Sequence, residues 1–109
     1  MLYKKIALHI IFVSLIFSAQ ANTSNYWIKQ GDIALSKQNI EESIILYSRA
    51  IQESPKHALG YIKRAKAYRA SNQLVKSAED MRRAVEIDPQ FTKSFLKTRK
   101  NRPESYNQK

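Results

Sequence analysis

Cysteine is absent from this chain of 109 residues, and glycine and proline occur only two and three times. Without thiols there are no disulfides to form and no cysteine-based metal site to build, so stability must come from packing. The scarcity of glycine and proline argues against an all-β design, which needs turn residues every 8 to 12 positions or so. An all-α fold is the natural expectation. Histidine is nearly missing too: His9 lies in the first apolar run and His57 beside Pro55. Neither glycine sits in a phosphate loop or a nucleophile elbow, and no nucleophile, base and orienting group converge, so the chain is expected not to be an enzyme. The acidic pairs Glu41-Glu42 and Glu79-Asp80 do not rescue catalysis, because neighbours on a helix point apart. Arg82 and Arg83 lie within helical reach of the second pair as exposed ion-pair partners. Scattered carboxylates and a lone loop histidine also give no metal cluster, and no cofactor is expected.

One long apolar run is present, and it stands at the start. "MLYKK" is followed by "IALHIIFVSLIF", Ile6 to Phe17, and then by "SAQA", Ser18 to Ala21. A cationic start, an apolar stretch and a small-x-small ending are the three parts of a secretory signal peptide, which assigns residues 1–21 to one, with a cut after Ala21. The run is shorter than the roughly 20 residues that span a bilayer, which favours cleavage over anchoring. A buried core helix and an uncleaved anchor are the competing readings. The expected location is therefore the periplasm or envelope of a bacterium, or otherwise the secreted fraction.

Charge is present in excess of one sign and is unevenly spread. The net charge is +10, and from Lys56 onward fourteen basic residues face five acidic ones, whereas Asn22 to Pro55 carries three basic and four acidic residues. An electrostatic partner should meet the C-terminal half first.

The chain also repeats itself. "WIKQG" (Trp27 to Gly31), "YIKRA" (Tyr61 to Ala65) and "FLKTR" (Phe95 to Arg99) recur at intervals of 34 residues. In that register Trp27 falls on Tyr61, Gly31 on Ala65, Ser43 on Ser77, Tyr47 on Met81, Ala50 on Ala84 and Pro55 on Pro89. Large residues fall on large and small on small, as in units that bury a face against their neighbours. Within the first unit Trp27, Ile28 and Leu35, and then Ile40, Ile44, Tyr47 and Ile51, recur at helical spacing with "SKQN" between them. Two helices per unit follow, with Asn39 and Glu42 placed for a capping box on the second and Pro55 as its stop.

These units resemble tetratricopeptide repeats, whose pattern reads W-x2-L-G-x2-Y, then A-x3-F, then P. The first unit supplies Trp27, Gln30, Gly31, Ala34, Ser43, Tyr47, Ala50 and Pro55, and the second Tyr61, Arg64, Ala65, Tyr68, Ser77, Met81, Ala84 and Pro89. Gln30 and Arg64 stand where leucine is usual, which suggests looser packing there. The resemblance implies a short α-solenoid of antiparallel helix pairs within residues 22–101, with repeats at about 24–57 and 58–91, a closing helix over 91–101 and a tail over 102–109.

The resemblance also implies a protein-interaction module whose first helices line a concave peptide groove. Carried onto this sequence, the groove positions are Asn25, Ile28, Asp32 and Leu35, then Leu59, Ile62, Lys66 and Arg69, then Lys93, Leu96 and Lys100. The mixture of apolar and basic residues suits a protein or peptide carrying apolar anchors and carboxylates. A subgroup of such repeats clamps a C-terminal carboxylate with lysine and asparagine; Lys93 and Lys97 match part of that set, but Ile28, Asp32 and Lys63 depart from it. Nucleic acid is disfavoured, since no aromatic row suited to base stacking stands apart from the expected core. Alternatives are an oligomerising structural protein, including a homodimer that covers an open face, and a salt-sensitive binder of an anionic membrane surface or cell-wall polymer.

Overall fold

The computed structural model describes the backbone of residues 2–100 and the side chains of residues 3–16 and 23–100. Five helices follow one another: α1 (Leu2–Ser36), α2 (Ile40–Glu53), α3 (Ala58–Ala70), α4 (Leu74–Ile87) and α5 (Pro89–Lys100). The second part of α1 pairs with α2, α3 pairs with α4, and α5 closes the stack, giving the all-α solenoid. The expected tail over 102–109 lies outside the described residues, as do the side chains around Ala21.

The boundary expected after Ala21 has no counterpart in the backbone. Helix α1 runs unbroken from Leu2 to Ser36. The physical reason is local, because no proline occurs in that span and its first glycine is Gly31. The buried-core reading of the apolar run fails: every large apolar side chain from Tyr3 to Ile16 is at least 45% exposed.

Small residues set the distance between paired helices. Gly31 lies against the ring of Tyr47, which is fully buried, and a Cβ on Gly31 would stand 2.5 Å from Tyr47 Cε1. In the second pair, the Ser77 hydroxyl donates to the Ala65 carbonyl at 2.8 Å, a bond that requires close approach of α4 to α3. The core forms two clusters. Ile28, Tyr47, Ala50 and Ala67 make the first, with Trp27 and Leu35 packed against it. Ala58, Tyr61, Ile62 and Ala84 make the second, against which Met81 and Phe95 pack. The aromatic residues of the recurring word thus wedge between successive helices.

The turns repeat as faithfully as the core. Gln38 and Asn72, one repeat length apart, both adopt left-handed backbone, with φ of 64° and 60°. The following amides, Asn39 and Gln73, reach back to the carbonyls of Ala34 and Tyr68 at 2.9 and 2.8 Å, closing α1 and α3 in the same way. The capping box expected at Asn39 is not formed. Asn39 stands at the N-cap of α2 without a side-chain cap bond, and its side-chain Nδ2 instead donates to the Glu42 carboxylate at 3.4 Å.

Candidate functional site

Helix α3 lies at the centre of the array and carries the two cations around which the polar structure is organised. Arg64 takes the position where leucine is usual, yet it is held firmly. Its Nε and Nη2 donate to the two carboxylate oxygens of Asp80 on α4 at 2.7 and 2.8 Å, and Nη1 donates to the Ser48 hydroxyl on α2 at 3.0 Å. The guanidinium also lies 5.6 Å from the centre of the Tyr68 ring. One side chain therefore joins three helices across both repeats. The bond to Asp80 raises the Arg64 guanidinium above its usual value, and burial opposes that shift.

This arrangement corrects two expectations at once. Arg64 replaces apolar packing with a forked ion pair rather than loosening the contact, a geometry that suits a planar guanidinium. Asp80 is 6% exposed and faces inward, so it is not a surface partner of Arg82 and Arg83. Those two arginines bond instead to Glu86.

The neighbouring Lys63 links the repeats through Asp32. Its ammonium donates to both Asp32 oxygens at 3.0 and 2.9 Å, and Asp32 also accepts from the Tyr47 hydroxyl at 2.6 Å. Burial, and next the bond to Asp32, push the Tyr47 phenol far above its ordinary value of 10.0. The folded chain therefore holds this proton more tightly than the unfolded chain. The resulting stabilisation is fully present below about pH 10 and is lost as the pH rises beyond it. Between pH 8 and pH 11, roughly the span around the free phenol's titration, wild type is expected to lose more stability than Tyr47→Phe in urea unfolding followed by circular dichroism. Parallel losses would remove this role from Tyr47.

Between α3 and α5 the surface opens into a groove of about 400 Å³. Ile62, Phe91 and Phe95 supply its apolar wall, and Lys63, Lys66 and Arg99 its cationic groups, with Ser94 and Thr98 between them. The Phe91 and Phe95 rings lie 6.1 Å apart, one helical turn along α5. Such a cleft can take an apolar side chain beside a carboxylate.

The structure brings together only some of the residues expected to line a groove. Ile62 and Lys66 are in this cleft. Ile28 is 6% exposed inside the first core cluster, and Leu35 and Leu59 pack against that cluster. Asp32 is occupied by Lys63 and Tyr47. Asn25 and Arg69 are exposed away from the cleft lining. Lys93, Leu96 and Lys100 are exposed on α5 but do not line the cleft, whereas Phe91, Ser94, Phe95, Thr98 and Arg99 do. The cleft takes from α5 only the side that faces α3. Thr92 is buried and its hydroxyl donates to the carbonyls of Ala84 and Asp88 at 3.0 and 2.7 Å, which seats α5 in the register of α3, whose Ala58 is buried one repeat length earlier. Among the described residues, no group of three or more acidic, histidine or cysteine side chains could hold a metal ion.

Residues 24–57 and 58–91 each match the tetratricopeptide repeat family. Over 66 residues the chain is 33% identical to the heat-shock protein cognate co-chaperone sgt12 of Aspergillus fumigatus, covering 61% of this chain and 19% of that protein. It is also 33% identical over 69 residues to the Hsp70-Hsp90 organizing protein of Triticum aestivum, covering 63% of this chain and 12% of that protein. The crystal structure of the Sgt2 TPR domain from Aspergillus fumigatus aligns with a TM-score of 0.59 at 33% identity, over 61% of this chain and 44% of that one. The chain thus spans a small part of the length of its curated relatives. These relatives overturn the exported, periplasmic or secreted location expected from residues 1–21, since their names describe a co-chaperone and a chaperone organiser rather than an envelope component. With two units in a 34-residue register, paired helices locked by small residues and both units matched, the chain belongs to the tetratricopeptide repeat family.

Proposed function

We propose that the chain is a non-catalytic interaction module that binds a segment of a partner protein in the cleft between α3 and α5. The carrying observation is the cleft itself, in which the Ile62, Phe91 and Phe95 wall is bordered by Lys66 and Arg99. Apolar contacts supply affinity in such a site, while cations at the rim speed encounter and select acidic partners. Co-chaperone relatives support a protein as the ligand. Of the polar residues that line the cleft, Lys63 does structural work through its bond to Asp32.

The test uses the full chain and a short labelled peptide of alternating leucine and aspartate, read by fluorescence anisotropy. Charge reversal at Lys66 and Arg99 together is expected to weaken binding on the order of tenfold, about 1.4 kcal/mol. The same reversal at Lys93 and Lys100, outside the cleft, should leave affinity within about twofold, as distant surface charges do under salt screening. Loss that follows Lys93 and Lys100 instead would transfer binding to the outer face of α5 and end this reading.

A further inference from the structure

The first part of α1 has no packing role in the repeat array, yet it carries the most apolar surface of the described chain. Ile10, Ile11, Phe12 and Val13 are consecutive, and each is turned about 100° from the last, so together they occupy every side of the helix. Their exposures of 61, 57, 67 and 59% confirm that no side is covered. A second helix or a second copy of the chain would seal one side of such a rod and leave the others in water. Only a surrounding apolar medium covers all of them. The rod's outer end carries Lys4 and Lys5, both exposed, beside Tyr3 at 86% exposure. Cations with long apolar stems next to a tyrosine fit the boundary between hydrocarbon and anionic headgroups.

We propose that residues 3–16 of α1 form a lipid-binding arm that sinks into the hydrocarbon of a membrane and tethers the repeat array to it. The stretch from Ile6 to Ile16 is roughly 16 Å long at the helical rise, about half the thickness of a hydrocarbon core. Among the described residues no helix is long and apolar enough to cross a membrane. The arm sinks into the hydrocarbon while the polar repeat array remains in water, and Lys4 and Lys5 reach for headgroups through their long apolar stems. Binding of this kind is held by apolar burial and so persists in salt, which separates it from attraction between the basic C-terminal half and an anionic surface.

Full-length chain, diluted from mild detergent onto vesicles of phosphatidylcholine with or without phosphatidylglycerol, is floated through a density gradient at about 0.1 M and about 0.5 M salt, conditions that bracket the screening of surface charge. Wild type should float at both, a few-fold more with the anionic lipid, and the Ile10→Asp/Phe12→Asp double variant should lose at least tenfold of its floated fraction. Helical content by circular dichroism and binding of the leucine–aspartate peptide should be unchanged in that variant. Flotation confined to low salt and equal in the variant would overturn the proposal in favour of the basic array. Wild type that stays below the vesicles and sediments as a dimer, while the variant is a monomer, would overturn it in favour of a second copy.

Discussion

Asp80→Ala is expected to lower the unfolding free energy by about 3 kcal/mol, because it strands a largely buried guanidinium without its counter-charge. The Arg64 and Asp80 side chains are 20% and 9% exposed, and the forked bonds at 2.7 and 2.8 Å leave Arg64 no other acid to turn to among its bonded partners. Ser48 would remain bonded to Arg64, but a hydroxyl does not neutralise the cation. Replacing both members, Arg64→Leu with Asp80→Leu, should recover most of that loss, since it removes the charges and restores the leucine usual at the first position. Urea unfolding of wild type, Arg64→Leu, Asp80→Leu and the double variant measures the coupling, with Asp80→Ala alongside. A double variant as unstable as Asp80→Ala alone would mean that the cost comes from the shape of the site and not from the stranded charge.

Gly31→Ala is expected to reverse its sign with the residue at position 47. In the wild-type background the new methyl meets the Tyr47 ring at 2.5 to 2.9 Å from three of its atoms. Tyr47 is fully buried and bonded to Asp32, so its ring cannot swing aside without losing that bond. Overpacking of this kind costs about 1 to 3 kcal/mol, more than the roughly 1 kcal/mol that alanine gains over glycine inside a helix. Tyr47→Ala alone should cost about 3 to 5 kcal/mol, as large-to-small changes of buried aromatics do. In that background, however, Gly31→Ala should stabilise by up to about 1 kcal/mol, because only the propensity gain remains. Thermal unfolding of the four chains decides the matter. If Gly31→Ala destabilises equally in both backgrounds, the glycine is required for something other than room for Tyr47.

The two predictions sit at opposite ends of what could be read in the chain. Gly31 and Tyr47 are legible because helix spacing and a 34-residue register make small and large residues recur, and packing pairs them at short sequence distance. The Arg64–Asp80 pair is not legible in that way. Asp80 stands near Arg82 and Arg83 in sequence, and only the inward roll of α4 presents it to α3 instead. A leucine position filled by arginine hinted at a polar replacement but could not name its acid.

The cleft shows the same limit. Counting forward by 34 from Leu59, Ile62 and Lys66 assigns Lys93, Leu96 and Lys100 to the groove. Helix α5 has no following partner among the described helices, so Leu96, which falls on buried Ile62, is left exposed, and the cleft is lined by the side of α5 that faces α3. Phe91, Phe95 and Arg99 are consequently the residues that meet Ile62 and Lys66. Likewise, hydropathy marked Ile6 to Phe17 as apolar but carried no information on whether anything covers it.

The sequence by itself determined the helices, their pairing and their repeat length, because periodic burial is written into the order of large, small and polar residues along one strand of chain. It determined the net positive charge and where that charge accumulates. Only the tertiary structure decided which cation meets which carboxylate, which face of α5 borders the cleft and which apolar surface is left uncovered. Those outcomes depend on how each helix is rotated about its own axis, and that rotation is settled jointly by contacts between residues far apart in the chain.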